Sequence, residues 1–179
     1  MPAPRMTTVE YFRTPERLPP QELVYGFVRE AAAPAARHQR VVGQLFIRLA
    51  RHLEDTGAGE AWLSPLDVVL DAEEDLVVQP DLSIVLTERA DIVTDRIWGA
   101  PDLVVEVMSP RPRIGSVEER LEWFARYGVL ECWLVDLESS RIEVIAFRAG
   151  ALVSTMVRRH EAVRSSVLPD LYLTPADVM

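Results

Sequence analysis

Apolar positions in this chain recur with two different periods. From residue 34 to about 55, Val41, Val42, Leu45, Phe46, Leu49 and Leu53 fall three and four apart. That is the stripe of an amphipathic helix, and Gly57 stands where a left-handed residue would close it. A second helix is predicted over "SVEERLEWFARYG". There Val117, Leu121 and Phe124 would face inward, Glu122 and Arg126 would pair across one turn, and Gly128 would end the helix. Elsewhere the apolar runs have strand length: "AWLSPLDVVLD", "LVVQPDLSIVL" and "DLVVEVMS", then "ECWLVDL", "RIEVIAFR" and "ALVSTMVRR", the last three turning at "ESS" and at "AG". Near the start, "TTVEYF" reads as a short helix with Thr7 and Glu10 spaced as a capping box, and "ELVYGFVRE" as a hairpin turning at Gly26. The order predicts an α/β protein: one layer of mixed sheet with helices packed on it.

Composition narrows this picture. A length of 179 residues favours a single domain spanning 1–179, and an apolar content of 49% is enough for a sizeable core. No run approaches the roughly 18 uncharged apolar residues of a membrane span. The segment "MPAPRMTTVEYF" carries no apolar secretory stretch. The lone Cys132 excludes an internal disulfide framework and a cysteine-based zinc cluster. A cytoplasmic protein without membrane partners is expected. The net charge of −9 argues against adhesion to nucleic acid by bulk charge. The chain has no lysine, so every fixed positive side chain is an arginine. Four of these, Arg37, Arg40, Arg48 and Arg51, fall within about 80° of arc on the long helix, opposite its apolar stripe. Such a stripe is either a solvated polar face or a surface that contacts phosphates.

Two stretches, "QPDLSIVL" and "APDLVVEVMSP", open an apolar run with Pro-Asp-Leu. In the second, Glu106 sits among valines in a run expected to be buried, where a carboxylate is costly unless protonated, paired or metal-bound. Asp102 and Glu106 share a strand face but lie about 13 Å apart at roughly 3.3 Å per residue, too far to share one ion. If the strand of Asp81 lies beside that of Glu106, about 4.8 Å away, those two carboxylates can converge. Oxygen ligands with open positions suit Mg²⁺ or Mn²⁺. Spacing therefore favours Asp81 with Glu106, and leaves Asp102 as a turn or cap residue.

Pro80-Asp81 followed by Glu106 on the next strand resembles the PD-(D/E)XK nuclease pattern. The wider sequence resembles the Uma family of restriction-endonuclease-like proteins. The matching segments are "MTTVEYF", "ELVYGFV", "RHQRVVGQL", "DVVLD", "VVQPDLSIV", "GAPDLVVEVMSP", "ERLEWFARYGV" and "CWLVD". The resemblance implies a restriction-endonuclease-like mixed sheet flanked by helices, and a Mg²⁺- or Mn²⁺-dependent hydrolysis of phosphodiester bonds, in DNA rather than RNA, by a homodimer. It implies Asp81 and Glu106 as metal ligands, the Val107 carbonyl as a further ligand, and Glu22 as an auxiliary acid. Ser109 and Arg113 would contact phosphate or position water.

This chain departs from the family at several points. The residue two after Glu106 is Met108 instead of lysine. The lysine that the family draws from the following helix is matched by Arg120, which cannot serve as a general base but can stabilise charge or orient water. Ser116 and Tyr25 stand where acids are usual. Loss of the lysine would weaken catalysis. The alternatives are a catalytically inactive nucleic-acid-binding or regulatory protein on the same fold, and a structural oligomerisation domain in which Asp81 and Glu106 pair with Arg113 or Arg120. His38 and His52 read as helix-surface residues, His38 drawn closer to the cleft by the resemblance. Cys132 reads as a buried thiol.

Overall fold

The computed structural model describes residues 5–15, 20–108, 114–148 and 151–179. Ser109, Arg113 and the turn at 149–150 lie outside them. The elements, in order, are α1 (Thr8–Arg13), β1 (Gln21–Val24), β2 (Phe27–Glu30), α2 (Ala36–Thr56), β3 (Gly59–Leu63), β4 (Val68–Asp71), β5 (Leu76–Val78), β6 (Leu82–Leu86), β7 (Ile97–Trp98), β8 (Leu103–Met108), α3 (Val117–Tyr127), β9 (Glu131–Asp136), β10 (Arg141–Arg148) and β11 (Ala151–Val157). Short 3₁₀ turns occupy Thr87–Ile92 and Pro175–Asp177.

The predicted α/β class holds, but the single sheet becomes two. One has the order β2-β1-β5-β4-β7, the other β11-β10-β9-β8-β6-β3. Each is mixed, with one parallel pair: β4–β7 in the first and β8–β9 in the second. The reason is written in two prolines inside runs that read as continuous. "AWLSPLDVVLD" breaks at Ser64-Pro65 into β3 and β4, and "LVVQPDLSIVL" breaks at Pro80 into β5 and β6. A proline has no N–H to give a ladder, so the chain leaves one sheet there and enters the other. The two crossings touch, with Ser64 N–H donating to the Asp81 carbonyl at 3.1 Å.

Three apolar layers follow. The inner face of α2 (Val41, Leu45, Leu49 and Leu53) packs on Leu82, Ile84, Val105, Val107, Trp133 and Val135 of the larger sheet. That sheet's other face, carrying Val85, Val104, Cys132 and Ile145, meets Trp123 and Phe124 of α3 together with Val24, Val68 and Val78 of the smaller sheet. Tyr11 of α1 covers the smaller sheet's outer side against Leu23, Val69 and Val77. Both reciprocal bonds of the Thr7–Glu10 capping box form, and Gly57 and Gly128 close α2 and α3 in left-handed conformation.

On α3 the predicted face is shifted. The residues it buries are Arg120, Trp123 and Phe124, while Val117 and Leu121 stay half-buried. Arg126 donates to Glu74 at 3.3 Å in place of the expected partner Glu122. The β1–β2 turn puts Tyr25 at φ 49° and Gly26 at φ 85°, a turn that ordinarily takes Asn or Asp before Gly. The Tyr25 ring packs edge-on against Trp123 at 6.2 Å, which offsets the backbone cost.

The C-terminal segment is held by a buried acid. Glu131, fully buried, accepts from Trp133 Nε1 at 2.7 Å and from the Ser166 backbone N–H and Oγ at 2.7 and 2.6 Å. Replacing Glu131 by Ala orphans those donors, at ~1–3 kcal/mol for each that stays buried. Urea unfolding of Glu131→Ala is expected to show a loss of about 3 kcal/mol, against no more than about 0.5 kcal/mol for the exposed Glu138→Ala.

Candidate active site

Where the two sheets meet, each supplies an acid and α3 supplies the counter-charge. Glu22 projects from β1 and Glu106 from β8, both buried. Arg120 reaches between them. Its Nε and Nη2 donate to Glu106 Oε1 at 2.8 and 2.6 Å, and its Nη1 donates to Glu22 Oε2 at 2.8 Å and to the Ile114 carbonyl at 3.2 Å. Its guanidinium lies 5.6 Å from the Phe124 ring centre. Burial alone would lower the pKa of Arg120, but the carboxylates of Glu106 and Glu22 outweigh it and raise the pKa above the ordinary arginine range. A raised pKa favours the protonated form, so the charge is complete below the ordinary arginine pKa and the clasp stays intact through neutral and alkaline pH. The other Glu22 oxygen, Oε1, accepts from the Gln79 backbone N–H at 2.7 Å, which ties β1 to the Pro80 crossing.

Asp81 stands at that crossing. The last ladder pair between β6 and β8 is Leu82↔Val105, and Asp81, one residue before Leu82, and Glu106, one residue after Val105, lie one step beyond it. Asp81 Oδ2 accepts from the Val107 backbone N–H at 2.7 Å, so its carboxylate lies against the peptide that follows Glu106. The same oxygen faces His38 Nε2 at 3.2 Å. With Asp81 ionised, Nε2 carries the proton. His38 Nδ1 is buried and finds no partner among the described residues. Asp81 keeps 20% side-chain exposure where Glu106 has 6%. His38 is therefore a buried neighbour of Asp81, at the foot of α2, instead of a helix-surface residue. Helix spacing carries a signal for this: His38 lies three, four and seven residues before Val41, Val42 and Leu45, on the same buried face, although a histidine is not counted in an apolar stripe.

The remaining candidates fall into two groups. Asp102 is buried and has a structural role at the far end of β8: Oδ2 accepts from Leu86 N–H at 2.8 Å and Oδ1 from Arg89 at 3.1 Å. Arg37, Arg40, Arg48 and Arg51 are all exposed on the outer side of α2. Arg37 donates to the Leu137 carbonyl at 2.6 Å and Arg48 pairs with Asp177 at 3.6 Å, while Arg40 and Arg51 have no partner among the described residues.

A family model described as "Uma2: Putative restriction endonuclease" matches residues 8–176. The chain belongs to the Uma2 family. Among solved structures, the Uma2 chain is similar to one described as a putative nuclease belonging to DUF820 from Anabaena variabilis ATCC 29413. The two share 18% identity over 97% of each chain with a TM-score of 0.83, a likeness of fold. No curated protein matches. Among the described residues, no helix of this Uma2 protein is long and apolar enough to cross a membrane.

Whether a divalent ion fits turns on the donors. One aspartate, one glutamate and a backbone carbonyl are hard oxygen donors, and one or two carboxylates suit an ion that keeps several waters. No group of three His, Cys, Asp or Glu side chains among the described residues is arranged to hold a metal. The fit is thus one of donor type, with Arg120 already bound to one oxygen of Glu106. Arg120→Ala leaves two buried carboxylates facing each other, and removing one partner of a buried ion pair costs about 3–5 kcal/mol. The expected result in chemical denaturation is a loss of that size, partly recovered in Arg120→Lys. Asp102→Ala is expected to destabilise by about 1–3 kcal/mol in chemical denaturation through its orphaned Leu86 N–H.

Proposed function

We propose that this Uma2 protein is a divalent-metal-dependent nuclease that hydrolyses phosphodiester bonds in DNA and works as a homodimer. The observation that carries the reading is the bond from Val107 N–H to Asp81. It holds the carboxylate of Asp81 against the Glu106–Val107 peptide, which supports a site shared by these residues. Asp81, Glu106 and the Val107 carbonyl would hold Mg²⁺ or Mn²⁺. When bound, the ion supplies Lewis-acid activation of water and neutralises charge on the phosphodiester.

The chain's own groups do the rest. Val107 N–H and His38 fix the rotamer of Asp81 from two sides. Gln79 N–H and Arg120 fix both oxygens of Glu22. Arg120 pairs with Glu106 and supplies the positive charge that a lysine would otherwise bring, as an electrostatic element that stays protonated. The exposed Arg40 and Arg51, without partners among the described residues, are the cations on α2 offered for phosphate binding.

A second reading has its own support. Arg120 closes on both Glu22 and Glu106, and Met108 occupies the lysine position. A guanidinium that satisfies the two acids makes a metal unnecessary for the fold, as in a protein that binds nucleic acid without cutting it. Cleavage of DNA and RNA substrates with Mg²⁺ or Mn²⁺, wild type beside Asp81→Ala, separates the two. The nuclease reading expects DNA cleavage that falls about a hundredfold or more in the variant, since even outer partners of a metal site are worth 10–100-fold. Equal cleavage by both, or none by either, removes it. The arginine stripe has an independent test in binding titrations at several salt concentrations. Arg40→Ala combined with Arg51→Ala should weaken DNA binding and flatten its salt dependence, by about one unit of log–log slope for each phosphate that is no longer neutralised.

A further inference from the structure

β11 is an edge strand of the larger sheet, and it lacks the devices that ordinarily protect an edge. Its seven residues, Ala151–Val157, contain no charge and no proline, and they pair with β10 in unbroken register from Ile142↔Val157 to Arg148↔Ala151. All but Val157 are exposed. Leu152, Val153 and Met156 are 52%, 44% and 47% exposed, so both faces of the strand present apolar surface.

The order of side chains says what covers it. About a two-fold axis through Ser154, antiparallel pairing of two copies sets Val153 opposite Thr155, Leu152 opposite Met156 and Ala151 opposite Val157. Each pair is matched in kind: β-branched with β-branched, long with long, small aliphatic with small aliphatic. Such directly opposed pairs are the unit that stabilises a sheet. A strand that matches its own reverse meets the requirement of an isologous interface, in which one patch serves both partners. One row on the sheet extends the argument inward. Phe147 lies opposite Leu152 on β10, and Phe147 N–H donates to the carbonyl of Leu130, which is 47% exposed. Across the axis, Met156 of the second copy continues the row Leu130–Phe147–Leu152. β11 itself brings no charge to the seam; the nearest is the Glu143 carboxylate, which accepts from Ser154 Oγ one strand in from the axis.

We propose that the chain dimerises by antiparallel pairing of β11 with β11 of a second copy about Ser154, joining two six-stranded sheets into one. The proposal rests on the homodimer reading above and gives it a location. The test uses the full chain. Sedimentation equilibrium should give the mass of two chains for the wild type, and of one chain for Leu152→Asp combined with Met156→Asp, which sets four carboxylates across the axis. Circular dichroism checks that this variant is folded.

Crosslinking supplies a more conservative probe, because the only native cysteine, Cys132, is buried. On the axis, the Ser154→Cys variant should form an interchain disulfide under mild oxidation. The Thr155→Cys variant should not, since its two copies lie about 8 Å apart along and across the strands, beyond the ~7 Å Cα limit of a disulfide. Failure of Ser154→Cys to crosslink, or equal crosslinking by Thr155→Cys, overturns the pairing. A dimer that persists in the doubly charged variant removes β11 and leaves the homodimer reading standing, whereas a monomeric wild type removes both. None of these measurements reads cleavage, so the nuclease reading stands or falls separately.

Discussion

One buried guanidinium ties together parts of the chain that are far apart in sequence. Arg120 bonds to Glu106, 14 residues before it, and to Glu22, 98 residues before it. In doing so it joins α3, the larger sheet and the smaller sheet at one point. Two carboxylates buried at a sheet junction without a counter-charge would cost several kcal/mol each. With Arg120 between them they are satisfied by short charge-assisted bonds. A buried ion pair of this kind adds little net stability over an apolar replacement, but it fixes geometry, because removing either partner strands the other. The orientation of α3 and the relative position of the two sheets are therefore coupled to this one side chain.

The junction exists because of how the backbone travels. β5 and β6 are separated by Gln79, Pro80 and Asp81, and β3 and β4 by a segment containing Pro65. At both places the chain passes from one sheet to the other, and a bond from Ser64 to Asp81 holds the crossings together. A crossing residue is released from the strict alternation of a strand. Asp81 uses that freedom to turn its carboxylate toward His38 and Val107 N–H, while Glu106, inside β8, remains bound to strand geometry and faces α3. One acid is thus partly exposed, and the other is closed.

The two Pro-Asp-Leu stretches show how identical tripeptides diverge. Asp81 has a half-open setting between two sheets. Asp102 is sealed: its side chain takes Leu86 N–H and Arg89, and its carbonyl takes the N–H groups of Leu130 and Glu131. Asp102 organises the meeting of β6, β8 and β9 at the end of the sheet remote from Glu106. Its burial is structural, and spacing along the strand already separated it from the candidate site.

Local pattern was sufficient for the elements. The apolar stripe of α2, the capping box at Thr7, the glycines that close the two long helices and the final meander all depend on residues within a few positions of each other, so they could be read in order along the chain. The pairing of the Asp81 strand with the Glu106 strand could also be anticipated, because two apolar runs each led by an acid have few ways to lie together. Tertiary structure alone decided the division into two sheets, since a proline marks a break without saying where the chain goes next. It alone turned Arg120 inward between Glu22 and Glu106, a choice set by the rotation of α3 and carried by a bond spanning 98 residues. It also chose Asp81 as the neighbour of His38, which helix spacing sets on the buried face of α2 without naming what it meets there. Periodicity states which residues share a face; the charge that a face meets depends on what the rest of the chain brings to it.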